Sequence, residues 1–289
     1  MNNLVIKSFA KVNLFLSVIN KRSDNYHNLT TLFERITLSD KIIITPRTDN
    51  IIKVSCNDSS VPSNESNLCW KAAKLLQDVA KVKNGLNIKI IKCIPVGAGL
   101  GGGSGNAAAV LLGLNKLWKL KFTKARLAKL AAEIGSDVAF FIYEASFAVG
   151  TSKGEKIRIL NNLNKIKLWH ILVVPKIHVS TPLIFKKFDH FSGLTKPTSN
   201  VKLLTSRLVR KTPSLVSGLL FNSLEAVTLK LYPEVKRAKK KLSTLGLKDI
   251  LMSGSGPAVF AIVSSAQKAQ ALSRILKSCL LYTSDAADE

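Results

Sequence analysis

Pro95-Val-Gly-Ala-Gly-Leu-Gly-Gly-Gly-Ser-Gly-Asn106 is the stretch on which the reading of this chain turns. After Pro95 and Val96, glycine fills Gly97, Gly99, Gly101, Gly102 and Gly103, with only Ala98 and Leu100 between. Residues without Cβ accept positive φ and let backbone N–H groups approach an anion closely. Upstream, Leu86–Ile94 alternates as a strand that runs into the loop. Downstream, Asn106–Trp118 has helical spacing, with Ala107, Val110, Leu111, Leu114 and Leu117 on one face. A helix N-terminus adds unpaired N–H groups and a partial positive charge, and Ser104 can cap it or offer a hydroxyl to a phosphate or metal. With Gly105 following, strand, loop and helix form a phosphate cradle.

Three common phosphate binders fit poorly. Gly97-x-Gly99-x-x-Gly102 satisfies the dinucleotide fingerprint on paper, but that fold wants an acid about 20 residues on for the ribose. No Asp or Glu lies between Asp78 and Glu133. No Gly-Lys-Ser/Thr ending follows the loop, so it is not a P-loop. The protein-kinase HRD and DFG signatures are also absent.

Working outward, Leu4–Phe9 and Val12–Val18 read as two short strands, and Lys41–Thr45 with Ile51–Ser55 as a hairpin around Pro46–Asn50. Asn67–Val79 reads as a helix, and Thr123 as the cap of a helix over Lys124–Ile134. Val138–Ile142, Ser146–Val149, Trp169–Val174 and Ala258–Val263 read as strands, Leu215–Leu229 and Pro233–Leu245 as helices, and Met252–Pro257 as a second glycine turn. The mixture without regular βαβ alternation indicates α+β, with a boundary near Asn161–Lys165.

With 289 residues and a hydrophobic fraction of 46%, the chain can bury a core and is not of disordered type. No apolar run approaches the ~18 residues of a membrane span, and Met1–Asn13 lacks the apolar core of a secretory signal. The expectation is a cytoplasmic protein, monomeric or weakly homodimeric. Cys56, Cys69, Cys93 and Cys279 form no CxxC pair and do not cluster with histidine, so neither a zinc site nor a disulfide framework is expected. The net charge is +25, which raises nucleic-acid binding as one reading. Lysine is spread along the whole chain, however, and its densest run, Lys236–Lys241, reads as a solvated helix face. A positive field also recruits anionic substrates such as nucleotides. Residues 279–289 carry no basic residue and resemble a translated sequencing adapter, so natural sequence is expected to end near Ser278.

Pro95–Ala108 resembles the phosphate-binding motif of the GHMP kinases. Further segments match that family in order: Ala10-Lys-Val-Asn-Leu-Phe-Leu16 followed by Asp24-Asn-Tyr-His27, then Lys92-Cys-Ile-Pro95 leading into the loop, then Gly135-Ser-Asp-Val-Ala-Phe-Phe141, then Met252-Ser-Gly-Ser-Gly256. Pairing Ala-Lys-x-Asn with Tyr-His is similar to the isoprenoid-pathway branch, whose substrate carries a cytidine diphosphate. Gly105, Asn25, Ser136 and Ala139 depart from the family's usual serine, glycine, alanine and proline.

The resemblance implies two α+β domains with the site in the cleft between them. Residues 1–160 would form a ribosomal-S5-domain-2-like half and 161–278 a ferredoxin-like half. It implies ATP and Mg²⁺, with Lys92 and Pro95–Gly105 at the nucleotide, and Ser104 and Asp137 the strongest candidates beside a metal. Asp137 would accept or orient the hydroxyl proton, and Lys11 would favour the alkoxide and the transferring phosphoryl group. Tyr26, His27 and Phe185 would read the cytosine, with Asn13 at the erythritol end and Thr181 also on the substrate. The implied reaction is transfer of phosphate to the 2-hydroxyl of a cytidine-diphosphate-linked methylerythritol. Homoserine or mevalonate chemistry is the alternative, and neither of those substrates has a base to stack.

Overall fold

The computed structural model describes residues 3–191, 200–210, 216–277 and 283–285. Its first feature is a long antiparallel hairpin of β1 (Leu4–Lys21) and β2 (His27–Pro46), paired from Leu4↔Ile44 to Lys21↔His27. The two short strands expected at the N-terminus are thus one strand. Its register shifts after Phe9, Asn13 and Val18 break the alternation that a sequence reading relies on, because a bulge adds a residue on one side.

β3 (Ile52–Cys56) does not form a hairpin with β2. β4 (Leu86–Ile91) enters between them, antiparallel to β2 and parallel to β3. Gly85 permits this close approach: a Cβ there would lie 2.3 Å from the Ile51 carbonyl oxygen. β5 (Phe147–Ser152) pairs with the first half of β2, and β6 (Lys156–Ile159) pairs with β5.

α1 (Leu68–Ala80), α2 (Gly102–Leu117) and α4 (Val138–Ile142) pack on this sheet, and α3 (Lys124–Ile134) packs on those helices. Asn67 and Thr123 cap α1 and α3 by accepting from the N–H groups of Cys69 and Arg126. α4 overturns the strand expected there. All five of its residues are buried, and a short apolar run with no exposed side has no period to separate helix from strand.

A second sheet contains β7 (Trp169–Val173), β9 (Ile250–Met252) and β10 (Val259–Val263), with β10 central; Thr283–Asp285 (β11), inside the suspect tail, pairs on the far side of β7. Around it lie α5 (Thr181–Phe188), α6 (Val201–Val209), α7 (Glu225–Leu231), α8 (Pro233–Thr244) and α9 (Ala266–Lys277). The helix expected over Leu215–Leu229 begins only at Glu225; Leu215 itself lies outside the described residues. Gly218 is left-handed at φ 74°, and Phe221–Asn222 is instead β8, added in parallel to β1. The halves share a core in which alternate β1 residues Ala10, Val12 and Leu14 meet Leu172, Val174 and Phe260.

Candidate active site

The glycine loop begins its helix four residues earlier than periodicity indicated, at Gly102, with Gly101 as N-cap at φ 70°. Glycine carries no apolar signal, so the first turn was invisible to spacing. The consequence is a helix whose free N–H groups belong to the glycines themselves. Hydrogen bonds to its carbonyl groups fasten the loop from two backbone N–H groups and one hydroxyl. Lys11 N–H donates to Leu100 O at 2.9 Å and Ala258 N–H to Ala98 O at 3.1 Å, and Ser253 Oγ donates to Gly99 O at 3.0 Å. Gly99 sits at φ 76°, and a Cβ there would lie 2.3 Å from Ser253 O. The two glycine turns of the sequence, 154 residues apart at Gly99 and Ser253, are thus packed on each other.

A cavity of about 800 Å³ opens beside the loop. Gly99, Gly101 and Ser104 reach it, as do Lys11, Asn13, Tyr26, His27, Asp137, Thr181 and Phe185. Pro95, Val96, Gly97, Ala98, Leu100, Gly102, Gly103, Gly105 and Lys92 do not line it. Val96 is exposed, Ala98 and Leu100 are buried, and Gly97 lies against His178. Gly105 has no room for a side chain: a Cβ would stand 2.8 Å from Phe9 O and 2.9 Å from Ser8 Oγ.

Lys11 is buried on β1, and its Nζ donates to Asn13 Oδ1 at 2.6 Å and lies 3.3 Å from Asp137 Oδ2. Asp137 stands at the N-terminus of α4 but makes no side-chain capping bond. Its carboxylate faces Lys11 and the cavity instead. Asn13 Nδ2 donates to Thr31 Oγ1 at 2.8 Å, and Thr31 Oγ1 donates to Phe15 O at 2.8 Å. This relay fixes the amide so that its oxygen faces the ammonium.

Lys92 pairs with buried Asp40, whose Oδ1 also accepts from the N–H groups of Cys93 and Ile94 at 2.7 and 2.8 Å. Its Nζ would meet a Cβ on Gly102 at 2.9 Å. Lys92 therefore lies under the first turn of α2 and braces it from outside the cavity.

At the far end, Phe185 on α5 stacks on His27, ring centroids 4.9 Å apart at 28°, and Phe188 meets the imidazole edge-on. Tyr26 is exposed, with Lys153 Nζ 4.5 Å from its ring centre. Asn25 is left-handed at φ 63°, which explains the glycine usual there: asparagine is among the few other residues that tolerate this region. Thr181 Oγ1 and Ser255 Oγ are 2.7 Å apart.

Sequence reading missed Thr31 and Asp189 and gave Ser255, inside the quoted Met252–Gly256 segment, no role of its own; all three are on the cavity wall. Asp189 lies 2.6 Å from His27 Nε2 across 162 positions, and such pairs leave no local signal. Among the described residues no group of three or more His, Cys, Asp or Glu could hold a metal, and no helix is long and apolar enough to cross a membrane.

Residues 67–145 match the GHMP kinases N terminal domain and residues 205–280 the GHMP kinases C terminal domain. The chain is 42% identical over 264 residues to the 4-diphosphocytidyl-2-C-methyl-D-erythritol kinase of Bacillus velezensis, covering 91% of this chain and 89% of that protein. The Bacillus subtilis kinase of that name is 40% identical over the same length. A solved 4-(cytidine 5'-diphospho)-2C-methyl-D-erythritol kinase superposes with a TM-score of 0.81 at 31% identity, over 97% of this chain and 98% of its own. A homoserine kinase from Cytophaga hutchinsonii shares the fold, with a TM-score of 0.71 at 21% identity. The chain belongs to the GHMP kinases, and within them to the 4-diphosphocytidyl-2-C-methyl-D-erythritol kinases.

Proposed function

We propose that this chain uses ATP to phosphorylate the 2-hydroxyl of 4-diphosphocytidyl-2-C-methyl-D-erythritol. It is an ATP-dependent phosphotransferase with an alcohol acceptor, in the isoprenoid route of its relatives. The observation that carries the site assignment is the placement of the Lys11–Asp137 pair and the His27–Phe185 stack on one cavity wall beside the glycine loop.

In this reading the N–H groups at the start of α2 hold the ATP phosphates. Asp137 accepts or orients the acceptor hydroxyl proton, and Lys11, fixed by Asn13, offsets charge on the alkoxide and the transferring group. Asn13 contacts the erythritol end. Tyr26, His27 and Phe185 take the cytosine, and Thr181 the same ligand. Lys92 acts on the nucleotide through the loop it braces. Mg²⁺ needs few protein ligands because it keeps waters and binds substrate phosphates; Ser104 and Asp137, both on the cavity wall, suit that role, and the ion would neutralise phosphate charge.

We further read residues 1–160 and 161–278 as the two domains, and the protein as a cytoplasmic monomer or weak homodimer without a nucleic-acid partner. Cys56, Cys69 and Cys93 are free thiols and Cys93 is exposed, which suits a reducing compartment. A coupled ADP-release assay over a panel of alcohols tests the substrate. Turnover confined to the diphosphocytidyl compound supports the reading, and preferred turnover of homoserine or mevalonate overturns it.

A further inference from the structure

Lys21 and His27 are the last cross-strand pair of the β1–β2 hairpin, and a single carboxylate engages both. Asp189, at the C-cap of α5, accepts from Lys21 Nζ at 2.8 Å through one oxygen and lies 2.6 Å from His27 Nε2 through the other. Burial pushes the Asp189 carboxyl up, but hydrogen bonds from Lys21 and His27, with their charges, together hold it below its ordinary value. At neutral pH it is an anion and can only accept. A carboxylate oxygen at that distance requires the proton on Nε2, so the neutral imidazole keeps Nδ1 as its acceptor. α5 also supplies Phe185, stacked on the same ring. One helix therefore sets both the plane and the tautomer of His27.

We propose that Asp189 is a specificity-determining positioning residue: by holding His27 in the Nε2–H form it makes the site accept from an exocyclic amine and reject a carbonyl, so that cytosine is taken and uracil refused. This rests on the reading that His27 meets the base edge. Cytosine offers its N4 amino group as donor, where uracil carries O4, an acceptor. Nδ1 facing O4 sets two acceptors against each other and leaves both unpaired, which discriminates by repulsion. Asparagine at 189 removes the constraint. Its amide donates through Nδ2 or accepts through Oδ1, so both imidazole tautomers become accessible.

The test compares kcat/KM for the cytidine-linked substrate and its uridine-linked analogue in the wild type and in Asp189→Asn, with KM for ATP followed in parallel. The wild type is expected to favour the cytidine compound by roughly a hundredfold or more. In Asp189→Asn that ratio falls at least about tenfold, while KM for ATP stays put. Long-range proton–nitrogen NMR of the wild type reads the tautomer without any variant at 189, the His27 signal being assigned with His27→Gln. Unprotonated Nδ1 is expected. An undiminished cytidine preference in folded Asp189→Asn, or an Nδ1–H tautomer in the wild type, overturns the proposal. A wild type that uses both compounds equally overturns base reading itself, and this inference with it.

Discussion

Lys11 Nζ stands 3.3 Å from Asp137 Oδ2, yet the two side chains differ in exposure, 4% for the lysine and 34% for the aspartate. The cation is buried and held by Asn13, whereas the carboxylate opens onto the cavity. This asymmetry suits a fixed charge beside a proton acceptor that must meet a ligand.

Asp137→Asn should therefore lower kcat by about 10²–10⁴, the usual cost of losing a general base. The amide keeps the shape but takes no proton. ATP affinity, measured by calorimetry, should stay within about twofold, roughly 0.4 kcal/mol. A variant that keeps most of its turnover would remove Asp137 from the reaction.

The glycine loop offers a paired test. At Gly103 a Cβ would meet only Leu68 Cδ1, at 3.6 Å, so Gly103→Ala should fold normally. It adds a methyl group in the first turn of α2, whose N–H groups are proposed to hold the phosphates, and ATP affinity should drop at least about tenfold, or 1.4 kcal/mol. Gly101→Ala differs in kind. At φ 70°, with Phe141 Cζ 3.0 Å from the new carbon, it should lower thermal stability as well, since alanine resists positive φ. Unchanged ATP binding in Gly103→Ala would place the phosphates elsewhere.

Cys69 is buried on α1, and desolvation pushes its thiol up to about 12. The neutral thiol is a poor nucleophile. At pH 8, about four pH units below that value, alkylation followed by mass spectrometry should label exposed Cys93 quickly and Cys69 only after unfolding. Comparable labelling of the two in the folded protein would contradict the packing described for α1.

Removing the aromatic at the far end of the cavity tests base stacking. Phe185→Ala should weaken use of the diphosphocytidyl substrate by roughly ten- to a hundredfold, since stacking on one base is worth about 1–3 kcal/mol. His27→Ala should act in the same direction by leaving the base edge unpaired. Steady-state kinetics should place neither effect in KM for ATP.

Much of the fold and of the site was legible because short segments carried it. The helix over Lys124–Ile134 has a cap, Thr123, and a clear apolar face, and both survive intact. The glycine loop, Lys11, Asn13, Tyr26–His27 and Asp137 each sit in a contiguous motif, so the sequence could nominate them, and the fold brings Gly99, Gly101, Ser104, Lys11, Asn13, Tyr26, His27 and Asp137 to one cavity. What escaped was non-local or without period. β2 extends back to His27, but the break in its register between Ile36 and Ser39 hid the first half. α4 has no exposed face to set a period. Lys92 pairs with Asp40, 52 positions away, a partner that no local pattern announces. Asp189 follows an unremarkable helix, and only the fold brings it to His27.

The most direct test of the central claim is one comparison of turnover. Purified protein with ATP and Mg²⁺ is offered 4-diphosphocytidyl-2-C-methyl-D-erythritol and, separately, 2-C-methyl-D-erythritol 4-phosphate, which has the same alcohol but no cytidine. If the His27–Phe185 end of the cavity reads a base, kcat/KM for the first compound should exceed that for the second by at least about a hundredfold, combining stacking with edge recognition. Equal kcat/KM for the two would show that no base is read, and would assign the cavity to a GHMP kinase of another alcohol.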